Sequence, residues 1–168
     1  MSLTMHQASI PAFVRIMTNL VAILEKAAAW AEARKIDPAV LVNARLAPDM
    51  APLKAQVFIA TDQAKGCAAR LAGLEVPSYP DVETTFPELI ARLNKTIEFI
   101  SSVPADKFEG AEDRTVTLKA GPRELTFSGR DYLFGFVIPN FYFHVTTAYA
   151  ILRHNGLEIG KLDFLGRI

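Results

Sequence analysis

Apolar residues recur along this chain at spacings of four and three in four separate runs, and the period falls to two only once. In the first run Phe13, Met17, Leu20, Leu24, Ala27 and Ala31 share one face, widened by Ile16, Ile23 and Trp30, which predicts a long amphipathic helix. Its start has two solutions. Either Ser9 caps it with Pro11 in the first turn, or it begins near Leu3 and kinks at Pro11, the only case in which His6 matters. The stretch from Asp37 to Met50 holds at most one short helix, capped by Asp37 with Pro38 at its first position. From Pro52, the positions Leu53, Val57, Ala60, Ala64, Cys67 and Leu71 predict a second long helix that Gly73 stops. Asp62 projects opposite this stripe, between Phe58 and Lys65, as part of a second contact surface. Thr85-Phe86-Pro87-Glu88 is a capping box for a third helix, with Phe86, Ile90, Leu93, Ile97 and Ile100 on one face until Pro104.

Then the period changes. Thr115 to Leu118 alternates, Ala120-Gly121-Pro122 turns, and Glu124 to Phe127 alternates again, which predicts a β-hairpin. A lone hairpin is marginal in water, so Val116, Leu118, Leu125 and Phe127 are expected to pack their shared face on the helices. Ser128 caps a fourth helix that places Leu133, Val137, Asn140, Phe141, His144, Ala148 and Ile151 on one side. Tyr142, Thr146, Tyr149 and Arg153 fall on the other side, and Pro139 is expected to kink the helix near Asn140. Four such stripes pack at about 20° around one core. The fold class read here is all-α, a single domain over residues 1–168, a four-helix bundle with a small hairpin inserted between helices three and four.

Composition narrows the function classes. Eighteen Lys and Arg balance eighteen Asp and Glu, with no basic block, so nothing attracts a phosphate backbone and no nucleic-acid partner is expected. Near-zero charge removes repulsion between copies, and a homodimer is expected, with the Tyr142, Thr146, Tyr149 and Arg153 stripe as its face. Arg15, Glu25 and Lys26 interrupt the N-terminal apolar region, so no membrane partner or export signal is expected. The single cysteine, Cys67, lies within a core stripe and forms no intramolecular disulfide, which fits a cytoplasmic location and an inert thiol.

His144 and Asn140 are the strongly polar side chains on an otherwise apolar face, with Thr147 at its edge. Each must find a hydrogen-bond partner when buried, and Gln56 and Gln63 on the second helix are the candidates. Gln56, Asn140, His144 and Thr147 are thus the candidate ligand pocket. A metal asks for at least three converging donors, and only His144 is well placed, because His154 is rotated off the face. No metal or other cofactor is expected, and catalytic residues stay unassigned. No nucleophile elbow is present, and Gly160-Lys161 is followed by Leu162 where a P-loop needs Ser or Thr.

The text IPNFYFHVTTAYAILRHNGLEIGKLDFLG, together with PLKAQVFIATDQAKGCAARLAG and YPDVETTFPEL, resembles an uncharacterised bacterial and fungal family of unknown function. That family is similar to the DinB and YfiT-like metalloenzymes, whose four-helix bundles commonly carry three metal-binding histidines. One of these lies on helix two, and two lie four apart on helix four. The resemblance implies a DinB-like bundle in which His144 matches the first of the helix-four pair. Ala148 stands at the second position and helix two has no histidine, so the implied metal site is degenerate. The function this suggests is a small-molecule-binding module. The alternatives are a metal-dependent enzyme of that superfamily, using zinc or nickel in thiol transfer or hydrolysis, and a dimeric structural or interaction protein.

Overall fold

Thr4 settles where the first helix begins. In the computed structural model, which describes residues 3–166, the Thr4 hydroxyl accepts the Gln7 backbone N–H at 3.1 Å, and the Gln7 side chain accepts the Thr4 N–H at 3.1 Å. This closed capping box starts α1 (Met5–Ala33), so the earlier of the two starts is the one adopted and Pro11 lies inside the helix. Ser9 is buried instead, its hydroxyl donating to the Met5 carbonyl at 2.7 Å. Asp37 caps α2 (Pro38–Val42). Next come α3 (Leu53–Ala72), ended by Gly73 at φ 69°, and α4 (Phe86–Ser102), opened by the Thr85 and Glu88 capping box. A 3-10 turn (Ala105–Phe108) leads to β1 (Thr115–Ala120) and β2 (Arg123–Ser128), then to α5 (Gly129–Asp131), a π-helical turn (Tyr132–Val137) and α6 (Ile138–His154). A last short helix, α7 (Lys161–Leu165), follows no stripe that the sequence displays. The chain is mostly helical, with one small two-stranded antiparallel sheet.

Side-chain contacts fix the directions of the long helices. Gln56 meets His144 and Arg70 meets Tyr132, so α3 and α6 run antiparallel. Phe13 packs on Phe141 at 4.6 Å, and the Trp30 ring near the end of α1 lies against Gly156 just past α6, so α1 and α6 run parallel. His6 packs edge-on against Phe108 at 5.1 Å, which brings the end of α4 to the start of α1. The order is therefore up, down, down, up. Two consecutive down helices need a crossover, and residues 73–85 provide it along the outside.

Burial explains each stripe. The α1 face from Phe13 to Ala31 is buried as its spacing predicts, and so is the α3 face from Leu53 to Leu71. α1 is long and apolar enough to meet the length and hydropathy of a membrane span, although 44% of that window is buried against the other helices. α3 also buries Phe58, Thr61 and Lys65 on its opposite side, because α6 covers one face and α4 the other. On α4 the buried positions are Phe86, Leu89, Arg92, Leu93, Thr96 and Ile100, while Ile90 and Ile97 lie at the margin.

The largest departure lies in the last long helix. Pro139 has no N–H to donate, and its ring crowds the carbonyl four residues back. The backbone bonding is irregular in the turn before the proline, as the π segment. The i→i+5 bonding takes one residue more per turn, yet Leu133, Val137, Phe141, Ala148 and Ile151 stay buried as their spacing predicts. Phe141, Val145, Ala148 and Leu152 line the core, and Asn140 and His144 lie on its flank, half-buried.

The hairpin has the register Val116↔Phe127 and Leu118↔Leu125, turning at Gly121, whose φ of 61° suits a tight two-residue loop. Only its base docks fully. Val116 is buried, and Phe127 contacts Tyr132 at 6.2 Å and Phe136 at 5.6 Å, whereas Leu118 and Leu125 remain half-buried.

Candidate functional site

The fold brings together two of the four expected site residues. Gln56, at the start of α3, is 1% exposed, and its side-chain amide spans two partners. Nε2 donates to the Ala51 carbonyl at 2.8 Å, and Oε1 lies 2.7 Å from His144 Nδ1. A carbonyl only accepts, so the first bond fixes which way the amide points. Oε1 must then receive a proton from the imidazole. His144 is therefore the Nδ1–H tautomer when neutral, with its lone pair on Nε2.

Burial holds the His144 imidazole below its ordinary value of 6.5, and no charged side chain contributes to the shift. The unfolded chain thus takes up this proton more readily than the folded one. The stabilising contribution is complete above the unfolded value and is lost as the pH falls through the depressed folded value. Urea titrations at about pH 7.5 and about pH 5 should show a larger acid loss for the wild type than for His144→Phe. Parallel slopes for the two proteins would refute this assignment.

Asn140 and Thr147 do not join the pair. Thr147 is buried and donates to the Phe143 carbonyl at 2.7 Å, and it lines a shallow outer groove of about 370 Å³ with Leu46, Pro139 and Phe143. The Asn140 amide and Gln63 make no side-chain hydrogen bond among the described residues. For a metal, the donor set does not fit. His144 is the one imidazole at the place the family relationship points to, the Gln56 oxygen is occupied by Nδ1–H, and Ala148 offers nothing. Among the described residues, no three His, Cys, Asp or Glu side chains gather to hold an ion. Cys67 is fully buried, and desolvation pushes its thiol far above the ordinary range.

A cavity lies where α1 begins. It measures about 740 Å³ and is lined by His6, Phe108, Glu112, Arg130 and Phe134, among others. His6 reaches it because the helix starts at Met5. Phe134, half exposed, gives an open aromatic wall, and Phe108, packed on His6, is buried. Neither Glu112 nor Arg130 takes part in an ion pair among the described residues. Nothing in the sequence joined these positions, since they come from the helix start, the 3-10 turn and the segment after the hairpin.

Two further groupings of side chains are held within the chain. The outer stripe of α6 holds its own chain: Tyr149 packs on Phe164 at 6.0 Å with its hydroxyl 3.4 Å from the Ile159 carbonyl, and Arg153 donates to the Leu157 carbonyl at 3.2 Å. The second contact surface of α3 is real, and it contains a buried arginine that the α4 stripe did not single out. Arg92, its side chain 1% exposed, pairs with Asp62, Asp81 and Glu83. Lys65 pairs with Asp62 at 2.8 Å and lies 5.0 Å from the Tyr79 ring.

Residues 5–165 match a protein family described as a domain of unknown function, DUF1993. The chain is also similar to the crystal structure, at 1.83 Å resolution, of a DinB family member protein from Shewanella denitrificans. The two are 39% identical with a TM-score of 0.88, over 97% of this chain and 92% of that one. No functionally curated protein matches it. The relationship to DinB-like proteins that the helix-two and helix-four text implies is thus borne out. Because the family match runs from the first helix to the last, this chain belongs to the DUF1993 family of unknown function.

Proposed function

We propose that this protein is a small-molecule-binding domain built on a DinB-like four-helix bundle, with the ligand held in the cavity at the start of α1. The observation that carries the reading is that cavity, about 740 Å³ in volume. It falls in the range of roughly 300–1,000 Å³ that small-ligand sites occupy. Its walls combine the aromatic rings of Phe108 and Phe134 with the imidazole of His6, the carboxylate of Glu112 and the guanidinium of Arg130. An apolar body with one or two polar attachment points matches that lining. The degenerate metal site at His144 is no part of this reading, and no step is routed through a metal.

A fragment screen by NMR tests it. Hits should perturb the backbone amides of residues 4–8, 105–112, 130 and 134. Ala105→Trp, at an exposed lining position, should fill the mouth and abolish those shifts while the fold persists. Fragments that bind the tryptophan variant equally well, or perturb only other regions, would overturn the proposal.

A further inference from the structure

We propose that His144 Nε2 is a hydrogen-bond acceptor for a second ligand at the outer seam between α3 and α6, and that Gln56 is the positioning residue that keeps it in accepting form. The site is separate from the cavity at the start of α1. Its ligand class is a weakly acidic hydroxyl on a flat apolar body, as in a phenol.

The seam is built from two antiparallel stripes. α3 contributes Gln56 and Gln63, and the last long helix contributes Asn140, Phe143 and His144. Gln56 is locked, because rotating its amide would set its oxygen against the Ala51 carbonyl oxygen. Whatever the imidazole does, rotation would exchange the Ala51 hydrogen bond for a repulsion in a buried place, so the Nδ1–H tautomer of His144 prevails.

Nε2 is open to a ligand. Among the described residues, the only buried side-chain nitrogen or oxygen without a partner is Trp30 Nε1. His144 Nε2 has no protein partner, so it must reach solvent. Asn140, one turn before His144, and Gln63, two turns after Gln56, also make no side-chain hydrogen bond among the described residues. Phe143, 56% exposed, packs against the imidazole at 5.2 Å with the two rings near perpendicular.

The chemistry of the acceptor selects the ligand. No charged side chain shifts His144, and burial disfavours its protonated form. A neutral imidazole with its lone pair exposed takes a proton donor, and an anion would find no partner. Phe143 then favours a donor carried on a ring. A phenolic hydroxyl meets both demands, its O–H directed to Nε2 and its ring against Phe143.

Phenol itself is the probe, added to the full chain while the three histidine side chains are followed by nitrogen-15 NMR. The wild type should show His144 protonated at Nδ1 before any ligand is added, and phenol should shift the Nε2 resonance to saturation. Gln56→Leu should release the tautomer toward Nε2–H and weaken phenol by about tenfold. His144→Phe should abolish the saturable shifts at Phe143 and Gln63, and Ala105→Trp should leave them intact. An Nε2–H tautomer in the wild type, a non-saturating response, or equal phenol binding by His144→Phe would each overturn the proposal. A structural role alone for Gln56 would lower stability in Gln56→Leu without moving the phenol affinity of the protein that remains folded.

Discussion

Gly129→Ala should destabilise the protein by about 3 kcal/mol, the upper end of what forcing one carbon into a packed site costs. A Cβ on this residue would lie 1.8 Å from the Ala111 carbonyl oxygen, 2.9 Å from its carbon and 3.2 Å from Leu71 Cδ2. The first two are backbone atoms and cannot swing away like a flexible side chain. They are also tied down. The Ala111 N–H donates to the Phe108 carbonyl at 3.1 Å, and the Arg130 N–H donates to the Glu112 carbonyl at 3.0 Å. Ala111 precedes β1 and Gly129 follows β2, so the two strands enter and leave the helices through this one closure. Relief of the clash has to open the hairpin base and disturb Phe127 and Tyr132.

The control is Gly135→Ala, in the π turn. No heavy atom lies within 4 Å of the added carbon there. This change should be neutral or stabilise by up to about 1 kcal/mol, through the lower entropy of the unfolded chain. Urea titration of both variants measures the difference. A Gly129→Ala protein within about 0.5 kcal/mol of the wild type would mean that the closure yields easily.

The contrast between the two glycines also marks what the sequence can disclose. Caps and stripes are local, and Thr85 with Glu88, Ser128, Asp37 and Gly73 all act as their neighbours foretell. The start of α1 was open between two local solutions, and the Thr4 box with Gln7 decided it. The approach of Ala111 to Gly129 joins segments on either side of a hairpin, and no spacing rule records it. The same holds for the cavity, whose lining comes from three separate stretches.

His144 shows a subtler limit. Helical spacing put it in the core beside Phe141, and the pairing with Gln56 is as expected. The depth is not: Phe141, Ala148 and Ile151 are buried as the spacing places them, while Asn140 and His144, at the edge of the same stripe, are only half-buried. Val145 and Leu152 fill that face beside Phe141, Ala148 and Ile151. The proline was visible as a disturbance. Its resolution one turn upstream depended on how the rest of the helix packs.

Arg92→Ala should cost about 3–5 kcal/mol, the range for removing one partner from a buried ionic group. A polar residue one step from Leu93 reads as a solvated edge of α4, yet the crossover of residues 73–85 closes over it. The guanidinium then serves both sides of the seam. Toward α3, Nε donates to Thr61 Oγ1 at 2.8 Å and Nη2 lies 3.2 Å from Asp62. Toward the crossover, Nη1 donates to the Pro80 carbonyl at 3.1 Å and to Glu83 at 3.2 Å, and Nη2 lies 2.9 Å from Asp81. Its plane also rests 4.7 Å from the Phe58 ring. The crossover has no helix or strand of its own to hold it, so these bonds are its attachment. Asp81, at 56% exposure, keeps its hydration, so Asp81→Asn should cost less than about 1 kcal/mol. Arg92→Lys retains a charge and loses the planar fork, and should fall between the two. Limited proteolysis supplies the local reading: Arg92→Ala should be cut within residues 74–85 well before the helices are, under conditions where Asp81→Asn resists. Equal losses for Arg92→Ala and Asp81→Asn, with no new cleavage in the crossover, would show that packing of Tyr79 and Pro80 holds the segment without the arginine.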